Sequence, residues 1–229
     1  MDSKTITKTE LAGMIDHTLL RADASQEEFR KICEEANDNH FAMVAINSAS
    51  VQLCKKLLEN SSVHVGAAIS FPLGQTTIET KVFETKKAIE DGCDEIDYVI
   101  NIAELKQGNI SFIEHEMDAI VSVCREGNII SKAIFENCYL SKEEIETVAK
   151  IAKKIKPHYI KTSTGFGTGG AEIEDVQRMK SIVGEEVLVK AAGGIRSWAD
   201  AAMFIDAGAS RIGTSSSLKI MRQFSERSL

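Results

Sequence analysis

Short runs of β-branched and other apolar residues recur along the chain, and each is followed by a charged stretch. The runs are Gly13–Thr18, Phe41–Asn47, Val63–Phe71, Glu95–Asn101, Ile130–Phe135, Tyr159–Thr164, Val187–Ala191 and Arg211–Gly213. Their starts lie between positions 13 and 211, about 28 residues per step, the length of one strand–loop–helix–loop unit of a parallel sheet. The stretches between them predict helices. Ser25-Gln26-Glu27-Glu28 and Ser141-Lys142-Glu143-Glu144 each set a hydroxyl three residues before a glutamate, which caps a helix start reciprocally. Within Glu143–Ile155, Ile145, Val148, Ala149, Ala152 and Ile155 fall on one helical face.

Eight such units close into a (β/α)8 barrel, and an open doubly wound sheet is the rival. The rival usually carries a glycine-rich loop after its first strand, whereas this chain reads Asp16-His17-Thr18-Leu19-Leu20-Arg21 there. The pattern therefore predicts an α/β fold, a (β/α)8 TIM barrel, as a single domain over residues 1–229.

Composition narrows the function classes. The 229 residues are 43% hydrophobic and 27% charged, too apolar and too balanced in charge for a disordered chain. No apolar run approaches the ~18 residues that cross a bilayer, and the first eight residues lack the apolar block of a secretory signal. We expect a soluble, cytoplasmic protein without a membrane partner. Twenty-seven Lys and Arg against thirty-four Asp and Glu give a net charge of -7, which repels a phosphate backbone and argues against a nucleic-acid partner. A small anion held by backbone N–H groups stays compatible with that charge. Cys33, Cys54, Cys93, Cys124 and Cys138 are odd in number and contain no C-x-x-C, so they read as reduced, mostly buried thiols. The five histidines show no ligand spacing, and no metal is expected. His17 reads as a packed, hydrogen-bonded side chain, and Trp198 and Phe204 as helix packing.

Polar groups sit at the C-terminal ends of the runs, where barrels of this kind carry their chemistry: Asp16, Asn47, Asp97, Asn101, Glu136, Lys161, Lys190 and Ser215. Lys161 and Lys190 are 29 residues apart, one unit, which predicts neighbouring strands and similar height. On the helix-facing side a lysine would be buried in apolar packing, so both are expected to point inward. Two adjacent ammonium groups repel, and burial adds to the effect; both lower a lysine pKa. A shift from about 10.4 to about 7 would raise the neutral fraction at pH 7 to about half. A neutral amine attacks carbonyls. Two readings stay open on the residues alone: a Schiff-base nucleophile, or two structural lysines that reach the rim and bind phosphate. Separately, Gly165-Phe166-Gly167-Thr168-Gly169-Gly170, Gly193-Gly194 and Gly213-Thr214-Ser215-Ser216-Ser217 follow the last three strands and offer backbone and hydroxyl donors to a phosphate.

These segments together resemble the 2-deoxyribose-5-phosphate aldolases, class I aldolases that work without a metal. The matching stretches are Ile15–Leu20, Ser70–Gly74, Asp94–Asp97 with Val99–Asn101, Ile160–Phe166, Lys190–Arg196 and Gly213–Ser215, in the family's order. The resemblance implies a (β/α)8 barrel and reversible cleavage of 2-deoxy-D-ribose 5-phosphate to D-glyceraldehyde 3-phosphate and acetaldehyde, with no cofactor. It puts the Schiff-base lysine on Lys161, the lysine that lowers its pKa on Lys190, and the proton-relay carboxylate on Asp97. Asp16 matches an aspartate that organises the polar network. Phosphate contacts fall on Gly165, Gly193, Gly194, Ser215 and Ser216, with Thr164 nearby. The implied partners are a sugar phosphate and an aldehyde, with a homo-oligomer, most simply a dimer.

Two departures stand out. Some members end in a tyrosine that assists proton transfer at the enamine, and Gln223–Leu229 contains none. Strand two carries Val44-Ala45-Ile46-Asn47-Ser48, where members often have a cysteine and a proline. The alternatives are a sugar-phosphate isomerase or epimerase on the same barrel, which needs no nucleophilic amine, and a catalytically silent phosphosugar-binding barrel.

Overall fold

The computed structural model describes residues 2–227. Eight parallel strands close into a barrel in chain order: β1 (Ile15–Leu19), β2 (Met43–Asn47), β3 (His64–Ile69), β4 (Glu95–Val99), β5 (Ile130–Ile134), β6 (Tyr159–Lys161), β7 (Leu188–Ala192) and β8 (Arg211–Thr214). The pairing of Asp16 with Gly213 joins β1 to β8 and completes the ring. Helix α1 (Lys8–Ala12) precedes β1. The others are α2 (Gln26–Asn39), α3 (Val51–Leu57), α4 (Ile78–Glu90), α5 (Ile102–Lys106), α6 (Ile110–Glu126), α7 (Lys142–Ile155), α8 (Ile173–Val183), α9 (Trp198–Asp206) and α10 (Ser217–Glu226). The predicted (β/α)8 barrel is what the chain forms.

Strand alternation sorts the side chains into two layers. Ile15, Val44, Val65, Ile96, Ala133, Ile160, Val189 and Ile212 face the helices and join the apolar shell. That shell takes the buried faces of the helices, including Ile145, Val148, Ala149 and Ala152 of α7, with Ile155 half-buried at its end. Ser25 and Ser141 form the reciprocal caps expected of them, and Thr7 with Glu10 adds a third on α1. Trp198 packs edge-on against Phe224, and Arg227 lies over both rings while donating to the carbonyls of Ser3 and Ile6. Four of the cysteines are buried and Cys138 is half-buried, all five as free thiols.

Three strands end two or more residues before the apolar runs predict, each for a local reason, and β5 ends one residue before, at Ile134. β3 stops at Ile69 because Ser70 turns into the left-handed region (φ 50°). β4 stops at Val99, whose carbonyl accepts from the buried Lys81 ammonium (2.7 Å) rather than from a neighbouring strand. β6 stops at Lys161, after which the Thr162 hydroxyl bonds the carbonyl of Ala192 (3.1 Å). Among the described residues no helix is long and apolar enough to cross a membrane.

Candidate active site

The inner layer of the barrel is divided. On β2 and β3 it is small or apolar: Met43 fills the space that a side chain on Gly66 would need, since a Cβ there would lie 2.2 Å from the Met43 sulfur. On β1 and on β4 to β8 it is charged. Asp16, Glu95, Asp97, Lys132, Lys161, Lys190 and Arg211 all point inward and are buried. Register brings them together: Asp97 pairs with Lys132, Lys161 with Lys190, and Lys190 with Arg211.

Asp97 is the hub. Its Oδ1 accepts from Lys132 Nζ at 2.6 Å, and its Oδ2 accepts from both Lys161 Nζ (2.9 Å) and Lys190 Nζ (2.7 Å). Lys190 Nζ also lies 2.5 Å from Asp16 Oδ2. Arg211 bridges Asp16 and Glu95, and Glu95 pairs in turn with Lys132. Behind β4, the buried Lys81–Glu116 pair (2.6 Å) fastens the strand that carries Asp97, with Glu116 accepting from the N–H of Asn101 at 2.9 Å.

The electrostatics single out one amine. Burial would raise the Asp97 pKa, but the ammonium of Lys132 and then those of Lys161 and Lys190 outweigh it, and the carboxylate is held well below its usual range. Burial would likewise lower Lys132, yet Asp97, Glu95 and Asp16 push it above the ordinary lysine value. Lys161 goes the other way, down to about 8. Its burial is the largest cause; Asp97 pulls back, and Lys190 and Lys132 push further down. The mutual repulsion foreseen from sequence is therefore present but second to desolvation. A charge count agrees. Four cations face three carboxylates, and the balance closes when Lys161 gives up its proton.

Lys161 is also the member of the cluster that opens onto space. A cavity of about 310 Å³ above it is lined by Lys161, Thr164, Gly165, Gly193, Gly194 and Ser215 among others. Asp16, Asp97 and Lys190 lie beneath it, outside the lining. Among the described residues, the N–H groups of Gly165, Gly193, Gly194 and Ser215 make no hydrogen bond within the chain. Gly165, Gly193 and Gly194 all have φ between +81° and +88°, a conformation that side chains resist. Ser215 and Ser216 lead into α10, and the N-terminus of a helix favours an anion. Ser216 itself is outside the lining, its N–H given to Thr214 Oγ1 (2.9 Å). Thr164 lines the cavity, but its N–H and hydroxyl both go to Glu136.

The other strand-end groups have local tasks. Asn47 donates to the carbonyl of Leu20 (3.2 Å), and Asn101 caps α5. His17 faces outward to Ser217 (2.9 Å) and Glu35 (2.9 Å), away from the lysines, and burial lowers its pKa. Sequence reasoning missed Lys132, Glu95 and Arg211. The signal was available, since a charge inside the buried strand Ile130-Ser131-Lys132-Ala133-Ile134 demands a partner as Lys161 does. It also passed over Arg196, which lines the cavity two residues after the Gly-Gly turn. Among the described residues no group of three or more His, Cys, Asp or Glu side chains is placed to hold a metal ion.

Comparison with known proteins meets this geometry. The profile of the DeoC/LacD family aldolases matches residues 11–223. The deoxyribose-phosphate aldolase of Lactobacillus acidophilus is 53% identical over 214 residues, covering 93% of this chain and 90% of its own. That of Bacteroides thetaiotaomicron is 51% identical over 95% of this chain and 91% of its own. Among solved structures, the tetrameric deoxyribose phosphate aldolase of Aeropyrum pernix superposes with a TM-score of 0.90 at 30% identity, covering 96% of this chain and 93% of that one. A buried lysine with a lowered pKa, set under a donor-lined cavity in a closed eightfold barrel, thus coincides with a profile match over nearly the whole chain, and the chain belongs to the DeoC/LacD family of aldolases.

Proposed function

We propose that this aldolase reversibly cleaves 2-deoxy-D-ribose 5-phosphate to D-glyceraldehyde 3-phosphate and acetaldehyde through a Schiff base on Lys161. The observation that carries the reading is the Lys161 amine, lowered to about 8 at the floor of the cavity. At pH 7 such a group is about one-tenth neutral, some hundredfold or more above an ordinary lysine. The relatives named above act on this substrate class by name, which supports the choice of sugar.

Neutral Lys161 adds to the C1 aldehyde of the open-chain sugar and gives a carbinolamine. Loss of water leaves an iminium, and Asp97 with Lys190 moves the protons through a trapped water. Removal of the C3 hydroxyl proton then lets the C2–C3 electrons flow into the iminium. Glyceraldehyde 3-phosphate departs, C2 of the enamine takes a proton, and hydrolysis releases acetaldehyde and the free amine. We assign that last proton to the same Asp97–Lys190 pair, which meets Lys161 at Asp97 Oδ2; of the stretch Gln223–Leu229, Ser228 and Leu229 lie outside the described residues. Asp16 keeps Lys190 in position and charged surroundings balanced.

The phosphate is a remote handle that places C1 against Lys161. We assign it to the free N–H groups of Gly165, Gly193, Gly194 and Ser215, with the Ser216 hydroxyl and the Arg196 guanidinium beside them and Thr164 fixing the first of these. A cytoplasmic, single-domain, homo-oligomeric enzyme, a dimer first, completes the proposal, and light scattering reads the assembly directly.

Borohydride trapping tests the chemistry. Incubation with the sugar phosphate, reduction and peptide mass spectrometry are expected to put a stable adduct on Lys161. A folded protein that binds the sugar phosphate and yields no adduct would overturn the mechanism in favour of an isomerase or a silent binding barrel. Gly213 offers a second check. A Cβ there would lie 2.9 Å from Ala192 Cβ and 3.1 Å from Lys190 Cε. Gly213→Ala is expected to displace Lys190 and lower turnover by about a hundredfold, as misplacement of a reacting group does, in steady-state kinetics.

A further inference from the structure

Glu136 follows β5 and takes no part in the lysine cluster, although its carboxyl group is buried and, among the described residues, pairs with no cation. Its backbone occupies the left-handed region (φ 56°, ψ 61°), which side chains rarely adopt and which persists only where the surroundings impose it. The surroundings do so from both sides. The N–H of Phe135 donates to the carbonyl of Lys161 (2.9 Å), and that of Asn137 to the carbonyl of Thr162 (2.9 Å). The conformation sends the Glu136 side chain under the loop that follows Lys161. Oε1 accepts the N–H of Thr164 at 3.0 Å, and Oε2 accepts the Thr164 hydroxyl. Thr164 Oγ1 then accepts the N–H of Phe166 at 3.0 Å, closing a tight turn over Gly165. Gly167 leaves room for the arrangement: a Cβ there would lie 3.2 Å from Glu136 Cδ and 2.7 Å from Cys138 Sγ.

We propose that Glu136 is a positioning residue for substrate phosphate: by taking both donors of Thr164 it fixes the turn so that the free N–H of Gly165 stays presented to the cavity. The proposal rests on the phosphate assignment made above. It predicts a division of labour, in which Glu136 governs recognition of the phosphate and leaves the chemistry at Lys161 unchanged.

The test compares 2-deoxyribose 5-phosphate with 2-deoxyribose in parent, Glu136→Ala and Glu136→Gln. For Glu136→Ala, KM for the phosphorylated sugar is expected to rise about tenfold, the weight of one hydrogen bond to a charged group, with kcat within twofold. Turnover of unphosphorylated deoxyribose is expected to be unchanged. Glu136→Gln keeps an acceptor for the Thr164 N–H and should give a smaller rise; it carries the test if the alanine variant does not fold. Equal loss on both sugars, or no change on either, overturns the proposal. Should the parent itself turn over both sugars with the same kcat/KM, the phosphate assignment fails instead, which keeps the two failures apart.

Discussion

Lys161→Met is expected to lose turnover by about ten-thousandfold or more and to trap no sugar with borohydride, because no other amine in the cluster opens onto the cavity. The same variant is expected to be more stable than the parent. An ammonium held at about 8 in the folded chain and near 10.5 when unfolded opposes folding by about 3 kcal/mol at neutral pH. Methionine fills a similar volume without that cost. Asp97 keeps Lys132 at 2.6 Å and Lys190 at 2.7 Å, so no carboxylate is orphaned. The sign can be checked against pH. Between about 8 and 10.5 the unfolded parent binds a proton that the folded parent does not, so this group adds stability as pH rises through that window. The variant lacks the rise. Denaturant unfolding at pH 7 and pH 10 measures both slopes, and a variant that is less stable at pH 7 or that retains turnover contradicts the assignment of Lys161 as a strained nucleophile.

The gain and the loss come from one feature. A group that must be neutral to react is made so by an environment that does not favour its charge, and the rest of the fold supplies the stability. That trade explains how legible the site was. The unit length of about 28 residues and the alternation of inward and outward positions depend on covalent geometry and burial alone, so the barrel and the inward direction of Lys161 and Lys190 could be read from the chain. Lys132, Glu95 and Arg211 obey the same physics, but none stands at the C-terminal end of its strand: Lys132 is in the middle of β5, and Glu95 and Arg211 open β4 and β8. Ranking burial above lysine–lysine repulsion required knowing that Asp97 touches three ammonium groups at once, a fact of register across four strands. Glu136 and Asn101 look alike at a strand end in sequence. Only the left-handed turn at one and the helix cap at the other separate their roles.

Lys190→Met separates the electrostatic role of the second lysine from its part in proton transfer. Lys161 and Lys190 share one oxygen of Asp97, which puts their charges roughly 5 Å apart, worth about 3 kcal/mol at an effective dielectric constant near 20. Deleting the Lys190 charge leaves three cations against three carboxylates with Lys161 still protonated, so its proton is bound more tightly. The amine should rise from about 8 by up to about two units, and its neutral fraction at pH 7 should fall about a hundredfold. Asp16 retains Arg211, so its carboxylate stays paired. The expected signature is a kcat/KM profile whose rising limb moves to higher pH, with much of the lost activity recovered near pH 10. Borohydride trapping followed across pH reads the same shift without relying on turnover. A uniform loss at every pH, with the limb unmoved, would assign Lys190 to proton transfer alone and leave desolvation and Lys132 as what lowers Lys161.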